Sequence, residues 1–315
     1  MINTKLMFIL IFLFSCLSSQ AQEELISAPA TANLNKTLDS KKIKLLVWNI
    51  KKAEAGDKWK QDYDRLASQH DIIAIQETKI ESENKTLTKK TQILRQDTAV
   101  SFEKSDKSVT GVTTSSKADP ISIKPLTSPD REPFLNTPKM SILTTYQLNE
   151  KGQKLLLVNT HAINFVSDEK FERQMLDIAK YIKNHKGPVA WAGDFNTWSS
   201  SRLAILNKVA EGLDMLPVDF KKDNRSTFML GHKVDHVFVR GLSVTQADVY
   251  DKISSSDHRP ISVTLALDPQ FDKKVAALKK EKKKSPPELN TQVDSYIKFL
   301  EEFNKTISKY PIYCY

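Results

Sequence analysis

Asp194 and Asn196 stand two residues apart in the stretch Trp191-Ala192-Gly193-Asp194-Phe195-Asn196-Thr197-Trp198. A carboxylate beside an amide can hold a metal, orient a water or grip a phosphate oxygen. The apolar run at 188–191 follows a Lys-Gly-Pro break and predicts a buried strand, which Gly193 would end by letting the backbone turn. Side chains at i and i+2 of a strand point the same way, so the carboxylate and the amide would face one spot. Alone, Gly-Asp-x-Asn is more simply an Asx turn leaving a strand. Its company elsewhere in the chain changes that balance.

Other apolar runs also close on polar groups. Asn49 ends Leu45-Leu46-Val47-Trp48-Asn49, Glu77 ends Ile72-Ile73-Ala74-Ile75-Gln76-Glu77, and His161 ends Leu155-Leu156-Leu157-Val158-Asn159-Thr160-His161. Asp257 and His258 lie in Ser256-Asp257-His258-Arg259-Pro260, just before a last apolar run, and Asp235 lies early in Val234-Asp235-His236-Val237-Phe238-Val239. Each has a plain explanation as a polar residue capping a loop. His70, His185 and His232 follow no such pattern and are expected on the surface or in a local hydrogen bond. His236, inside a strand, suits packing on the sheet.

Strands are expected at 43–49, 71–77, 109–115, 121–126, 140–148, 154–161, 188–191 and 261–267. The segment 78–108 is expected as loops with one edge strand. A hairpin is expected from 234–239 and 242–250, turning at Arg240-Gly241. Helical spacing of Trp59, Tyr63 and Leu66 predicts a helix over 57–69, and Phe171, Met175, Ile178 and Ile182 predict one over 168–185. Serines at 199–201 open a third over 199–211. Many strands with few helices between them predict an α/β or α+β domain with two packed sheets.

The 315 residues suffice for a large core, and a net charge of +9 biases the partners toward polyanions: nucleic acid, phosphorylated metabolites or anionic membranes. Part of that excess is one lysine run at 271–284. Beyond Pro286-Pro287, Leu289, Val293, Tyr296, Ile297, Leu300, Phe303 and Ile307 form a stripe at helical spacing. Residues 269–315 are thus expected as a Lys-rich segment and amphipathic helix appended to the domain, most simply a solvated face and a docked stripe.

At the other end, Lys5, the apolar run 6–17 and Ser19-Gln20-Ala21 predict a signal peptide over 1–21, so export to the periplasm or medium is expected. The apolar run is short for a membrane span. Leu13-Phe14-Ser15-Cys16 is loosely lipobox-like, but the bulky Phe14 argues against lipidation of Cys16. Residues 22–41 lack periodicity and are expected as a disordered lead-in, which leaves 42–268 as the domain. After cleavage only Cys314 would remain, which excludes an intramolecular disulfide.

Taken together, Trp48-Asn49, Gln76-Glu77, Asn159-Thr160-His161, Gly193-Asp194-Phe195-Asn196, Asp235 in its strand and Ser256-Asp257-His258 resemble the endonuclease/exonuclease/phosphatase (DNase I-like) superfamily, in order and over residues 45–262. Gly193 to Trp198, Asp235 to Gly241, Gly111 to Ser116 and Pro138 to Met140 look like its exported bacterial branch. The resemblance implies a four-layer α-β-β-α sandwich of two mixed sheets with the site at one rim. It implies a Mg²⁺ ion (Mn²⁺ or Ca²⁺ being alternatives) on Glu77, with Asn49 and Asp257. It makes Asp194 the group that orients or deprotonates the attacking water, with Asn196 on a phosphate oxygen. His258, oriented by Asp235, would stabilise the pentacovalent phosphorus or protonate the leaving group, and His161 would donate to a nonbridging oxygen.

The implied activity is phosphoester hydrolysis by a monomer, with nucleic acid favoured as substrate by the positive charge. Lys233-Val234-Asp235-His236 departs from the Trp-Cys-Asp-Arg signature of inositol phosphatases, which counts against phosphoinositides. No counterpart of the abasic-site enzymes' tyrosine is identifiable, and export removes the enzyme from its own genome. A sphingomyelinase-like phospholipid phosphodiesterase, with 271–315 on an anionic membrane, is the alternative. A noncatalytic polyanion- or membrane-binding protein is disfavoured because every expected ligand and histidine is present.

Overall fold

The computed structural model describes residues 24–271, apart from 82, 84, 85, 134, 135, 151, 229 and 230. The expected signal peptide, and the Lys-rich run and stripe beyond residue 271, lie outside the described residues.

Central strands here are covered on both faces, so they are apolar runs and not alternations. The first sheet has seven strands: β1 (Leu25–Ala28), β4 (Arg95–Glu103), β5 (Val109–Ser116), β3 (Ile72–Ile80), β2 (Ile43–Asn49), β15 (Ile261–Leu267) and β14 (Leu242–Val249), in that order across it. The second has six: β10 (Leu216–Pro217), β13 (Asp235–Arg240), β9 (Val189–Asp194), β8 (Lys154–His161), β7 (Pro138–Gln147) and β6 (Pro120–Arg131). A small ribbon pairs β11 (Thr227–Phe228) with β12 (His232–Lys233). Leu45, Val47, Ala74, Leu157, Ala190, Val237 and Val263 fill the space between the large sheets.

Helix α1 (Gly56–Gln69) lays Trp59, Tyr63 and Leu66 on Leu46, Trp48, Ile73 and Ile75, covering the outer face of the first sheet. Helices α2 (Asp168–Asn184) and α3 (Ser200–Gly212) cover the second, with Phe171, Met175, Ile178 and Ile182 against Val158, Trp191 and Phe238. The result is the four-layer sandwich expected of a DNase I-like fold. Ser199 caps α3, its hydroxyl accepting from the Arg202 N–H. Pro120 and Pro125 are tolerated because β6 is an edge strand.

The structure corrects the sequence reading in several places. From residue 24 on, the lead-in is not disordered: β1 pairs antiparallel with β4, and Leu38 is buried in the inter-sheet core. Four residues carry too little alternation to announce a strand, but the exposed edge of β4 supplies the hydrogen bonds, so β4 is an inner strand. The hairpin at Arg240-Gly241 is also absent. β13 pairs with β9 in the second sheet, while β14 pairs with β15 in the first. Gly241, at φ +68, carries the chain from one sheet to the other. Gly193, lastly, does not end its strand. It lies inside β9 at φ +143, where a Cβ would sit 1.9 Å from the Thr160 carbonyl oxygen, so close approach of β8 demands glycine.

Candidate active site

Strand register brings the polar residues together. β8 and β9 run parallel with His161 opposite Asp194, and β13 runs antiparallel to β9 with Asp235 opposite Asp194. The carboxylate of Asp194 is the hub. Its Oδ2 accepts from Asn49 Nδ2 at 2.9 Å, and lies 3.7 Å from both His161 Nε2 and His258 Nε2. Its Oδ1 accepts from the Asn196 N–H at 2.9 Å. This is the Asx turn, and it is also part of the site. Asn196 does not share a strand face with Asp194; at φ +48 it has left the strand, and its Nδ2 donates to the Ala162 carbonyl.

His258 points its Nδ1 at both Asp235 oxygens, 2.9 and 3.0 Å away. Its loop is held from two directions. Trp48 Nε1 donates to the His258 carbonyl at 2.9 Å, and the Ser256 hydroxyl donates to the Asn49 carbonyl while accepting from the His258 N–H. Glu77 lies within a break in the β3–β5 register between Ile75 and Thr78 and sits at φ +50, a strained backbone. Its Oε1 lies 4.0 Å from His161 Nε2, and its Oε2 lies 3.3 Å from Lys52 Nζ. Asp257 is the outlier: it is exposed at the rim, 3.3 Å from Lys51 Nζ.

Charge follows burial. Burial pushes the Asp194 carboxyl up to about 6, with Asp235 adding to the effect and His258 opposing it. For His258, burial opposes the charge, but Asp235 and Asp194 outweigh it and raise the imidazolium to about 10. Burial holds His161 well below its usual range, helped by Lys139 and His258, so it is neutral at pH 7. The site therefore pairs one charged imidazole with one neutral one.

The donors suit a hard divalent cation. Asn49, Glu77 and Asp257 offer oxygens, and the lysines beside the two carboxylates are exposed enough to be displaced. A second set, Asp194, Asp235 and His258, brings ligand atoms within 4.8 Å of one another. An ion there would compete with the His258–Asp235 hydrogen bonds.

Sequence reasoning missed Arg202. It is fully buried, its guanidinium between Phe171 and Trp198 at 4.6 and 4.8 Å, and it donates to the carbonyls of Ile163, Asn196 and Val166. Its signal in the sequence was weak, a lone arginine in the first turn of a helix. His236 packs in the sheet as expected, buried against Phe195 and bonded to Thr197, whereas His70 is not on the surface: it is buried and bridges the Leu66 carbonyl, a local bond, and the distant Ser262. Burial pushes His236 down to about 4 and lowers His70 as well. The unfolded chain then binds the extra protons below pH 6.5, so stability falls as pH drops from 6.5 toward 4. For His236 alone the loss is about 3 kcal/mol. Urea unfolding across that range should show it, and His236→Gln should flatten the slope.

A fold of two stacked sheets with carboxylates, amides and histidines gathered at strand ends defines a phosphoesterase-like α/β sandwich, and its family model matches residues 30–258. The chain belongs to the endonuclease/exonuclease/phosphatase family. It is similar to a UPF0294 protein of Vibrio campbellii, 36% identical over 230 residues that cover 72% of this chain and 79% of that one. A UPF0294 protein of Klebsiella pneumoniae is 34% identical over 70% of this chain and 81% of its own. The fold is shared with an endonuclease/exonuclease/phosphatase family protein from Leptotrichia buccalis (17% identity, TM-score 0.54, covering 70% of this chain and 98% of that one). It is shared too with the human Nocturnin catalytic domain (15%, TM-score 0.57, 78% and 98%) and with D. rerio TDP2 (15%, TM-score 0.53, 71% and 98%).

Proposed function

We propose that the chain is an exported, divalent-metal-dependent phosphodiester hydrolase acting on DNA or RNA. The observation that carries the hydrolase reading is the hub: a buried carboxylate, Asp194, within reach of one charged and one neutral imidazole. In its ionised form Asp194 orients and deprotonates the attacking water. His258, charged and fixed by Asp235, faces the developing negative charge and can give its Nε2 proton to the leaving oxygen. His161, neutral, donates to a nonbridging oxygen from whichever ring nitrogen carries its proton. Asn196 keeps an amide N–H for another, since Ala162 takes only one of its two. Glu77, Asn49 and Asp257 would hold Mg²⁺, which supplies charge neutralisation at the phosphate and the leaving oxygen.

Nucleic acid is favoured by a cavity of about 680 Å³ lined by Lys52, Lys60, Lys79, Lys89, Lys90 and Lys104 against Glu54, Asp64 and Glu81. Lys52 belongs to this cavity and also contacts Glu77, so the basic lining runs up to the site. A basic groove that tracks a phosphate backbone is how strands are held without sequence preference. One of the solved structures with this fold, the D. rerio TDP2, was in complex with a single-strand DNA product. Export rests on the sequence at 1–21.

The test compares plasmid DNA, RNA and sphingomyelin with purified protein in Mg²⁺ and in EDTA, beside Asp194→Ala. Mg²⁺-dependent cleavage of either nucleic acid, absent in the variant, is expected. Cleavage of sphingomyelin alone would replace the nuclease reading with a lipid one.

A further inference from the structure

Phe165 is 54% exposed, and of the large apolar side chains exposed among the described residues it is the only aromatic. Its backbone lies at φ +52, a conformation a bulky residue holds only when its surroundings impose it. The surroundings do. Asn164 Oδ1 accepts from the Phe165 N–H at 2.9 Å and from Trp198 Nε1 at 2.8 Å, while the Asn164 N–H donates to Glu132. On either side of Phe165, Arg202 donates from Nη1 to the Ile163 carbonyl and from Nη2 to the Val166 carbonyl, and the same Nη1 also reaches the Asn196 carbonyl. The backbone around Phe165 is thus tied to the loop that carries Asn196. The loop that carries Phe165 leaves β8 directly after His161, the strand's last residue, so two site residues, His161 and Asn196, flank the segment that holds it.

An exposed ring on a strained and braced backbone at this place is positioned to receive something flat. We propose that Phe165 is a stacking platform for the nucleobase next to the scissile phosphate. The inference rests on the nuclease reading and adds a specificity-determining residue to it. Any base offers a π-face, so such a platform binds strands without choosing a sequence, and its rigidity limits the entropy lost on binding. A membrane is the poorer occupant. One ring makes no apolar face of the size that interfacial binding needs.

The test uses the full chain in Mg²⁺ with a single-stranded oligonucleotide and the same backbone made abasic around the cleavage position. Phe165→Ala should raise KM for the normal strand about tenfold and leave kcat within about twofold, as expected for a lost base stack. The abasic strand should be unaffected, and Phe165→Trp should restore the wild-type KM. Equal effects on both strands, or none, would overturn the platform while leaving the nuclease reading standing. Loss of binding to phosphatidylserine vesicles with unchanged oligonucleotide KM would assign the ring to a membrane instead. A wild-type protein that cleaves neither strand overturns the nuclease reading itself, and the platform with it.

Discussion

Asp194→Asn is expected to lower kcat by about 10²–10⁴-fold, the range a positioned base contributes, while the protein stays folded. The same substitution changes how stability depends on pH, and the sign follows from burial. A carboxyl raised from 3.8 to about 6 is most comfortable neutral. Its contribution is fully present below pH 3.8 and is lost as pH rises through 6, at a cost of about 3 kcal/mol in the charged fold. Asparagine cannot ionise and escapes that cost. It also cannot accept from both Asn49 and Asn196, because one of the two donors would meet its NH₂. The offset from this lost hydrogen bond is the same at every pH. In EDTA the difference in melting temperature between Asp194→Asn and wild type should therefore move in the variant's favour by several degrees between pH 4 and pH 8. A difference independent of pH would show that Asp194 is not held charged against its preference.

Much of this candidate site was legible because its parts end long apolar runs. Trp48-Asn49, Thr160-His161 and Gly193-Asp194 each follow a strand buried on both faces, and such strands announce themselves by composition. The helices were legible from 3.6-residue spacing, and α1 and α2 fall within a residue of expectation. Tertiary decisions were not legible. Arg240-Gly241 has the local look of a hairpin turn, and only packing decides that the two strands enter different sheets. β1 is too short to show a period and exists because β4 offers an edge. Gly193 looked like a turn glycine because sequence does not reveal that a neighbouring carbonyl occupies the space of its Cβ. Arg202 escaped for a related reason: its partners are backbone carbonyls at Ile163, Val166 and Asn196, which leave no residue-type signature.

Asp235→Asn should move the whole pH profile, not merely scale it. Asp235 holds His258 Nδ1 and is the first attractive cause of its high pKa, while as the strand neighbour of Asp194 it adds to that group's elevation. In the wild type, kcat/KM should rise as Asp194 ionises near pH 6 and fall as His258 loses its proton near pH 10. A bound cation would pull the lower limb further down. Removing the Asp235 charge lowers both midpoints, so the optimum shifts toward acid and the upper limb moves toward neutrality. At pH 8 the loss in kcat should be about 10²–10⁴-fold, and it should shrink as the assay is taken toward pH 6. Stability carries the matching sign. The wild-type ion pair contributes fully below pH 6.5, the unfolded value of histidine, and is lost as pH rises through about 10, so the variant should be destabilised at pH 6 and progressively less so in strong base. A residue that only braced the strand would reduce activity by one factor at every pH. Limbs that stay in place would therefore remove Asp235 from its role as the carboxylate that keeps His258 charged.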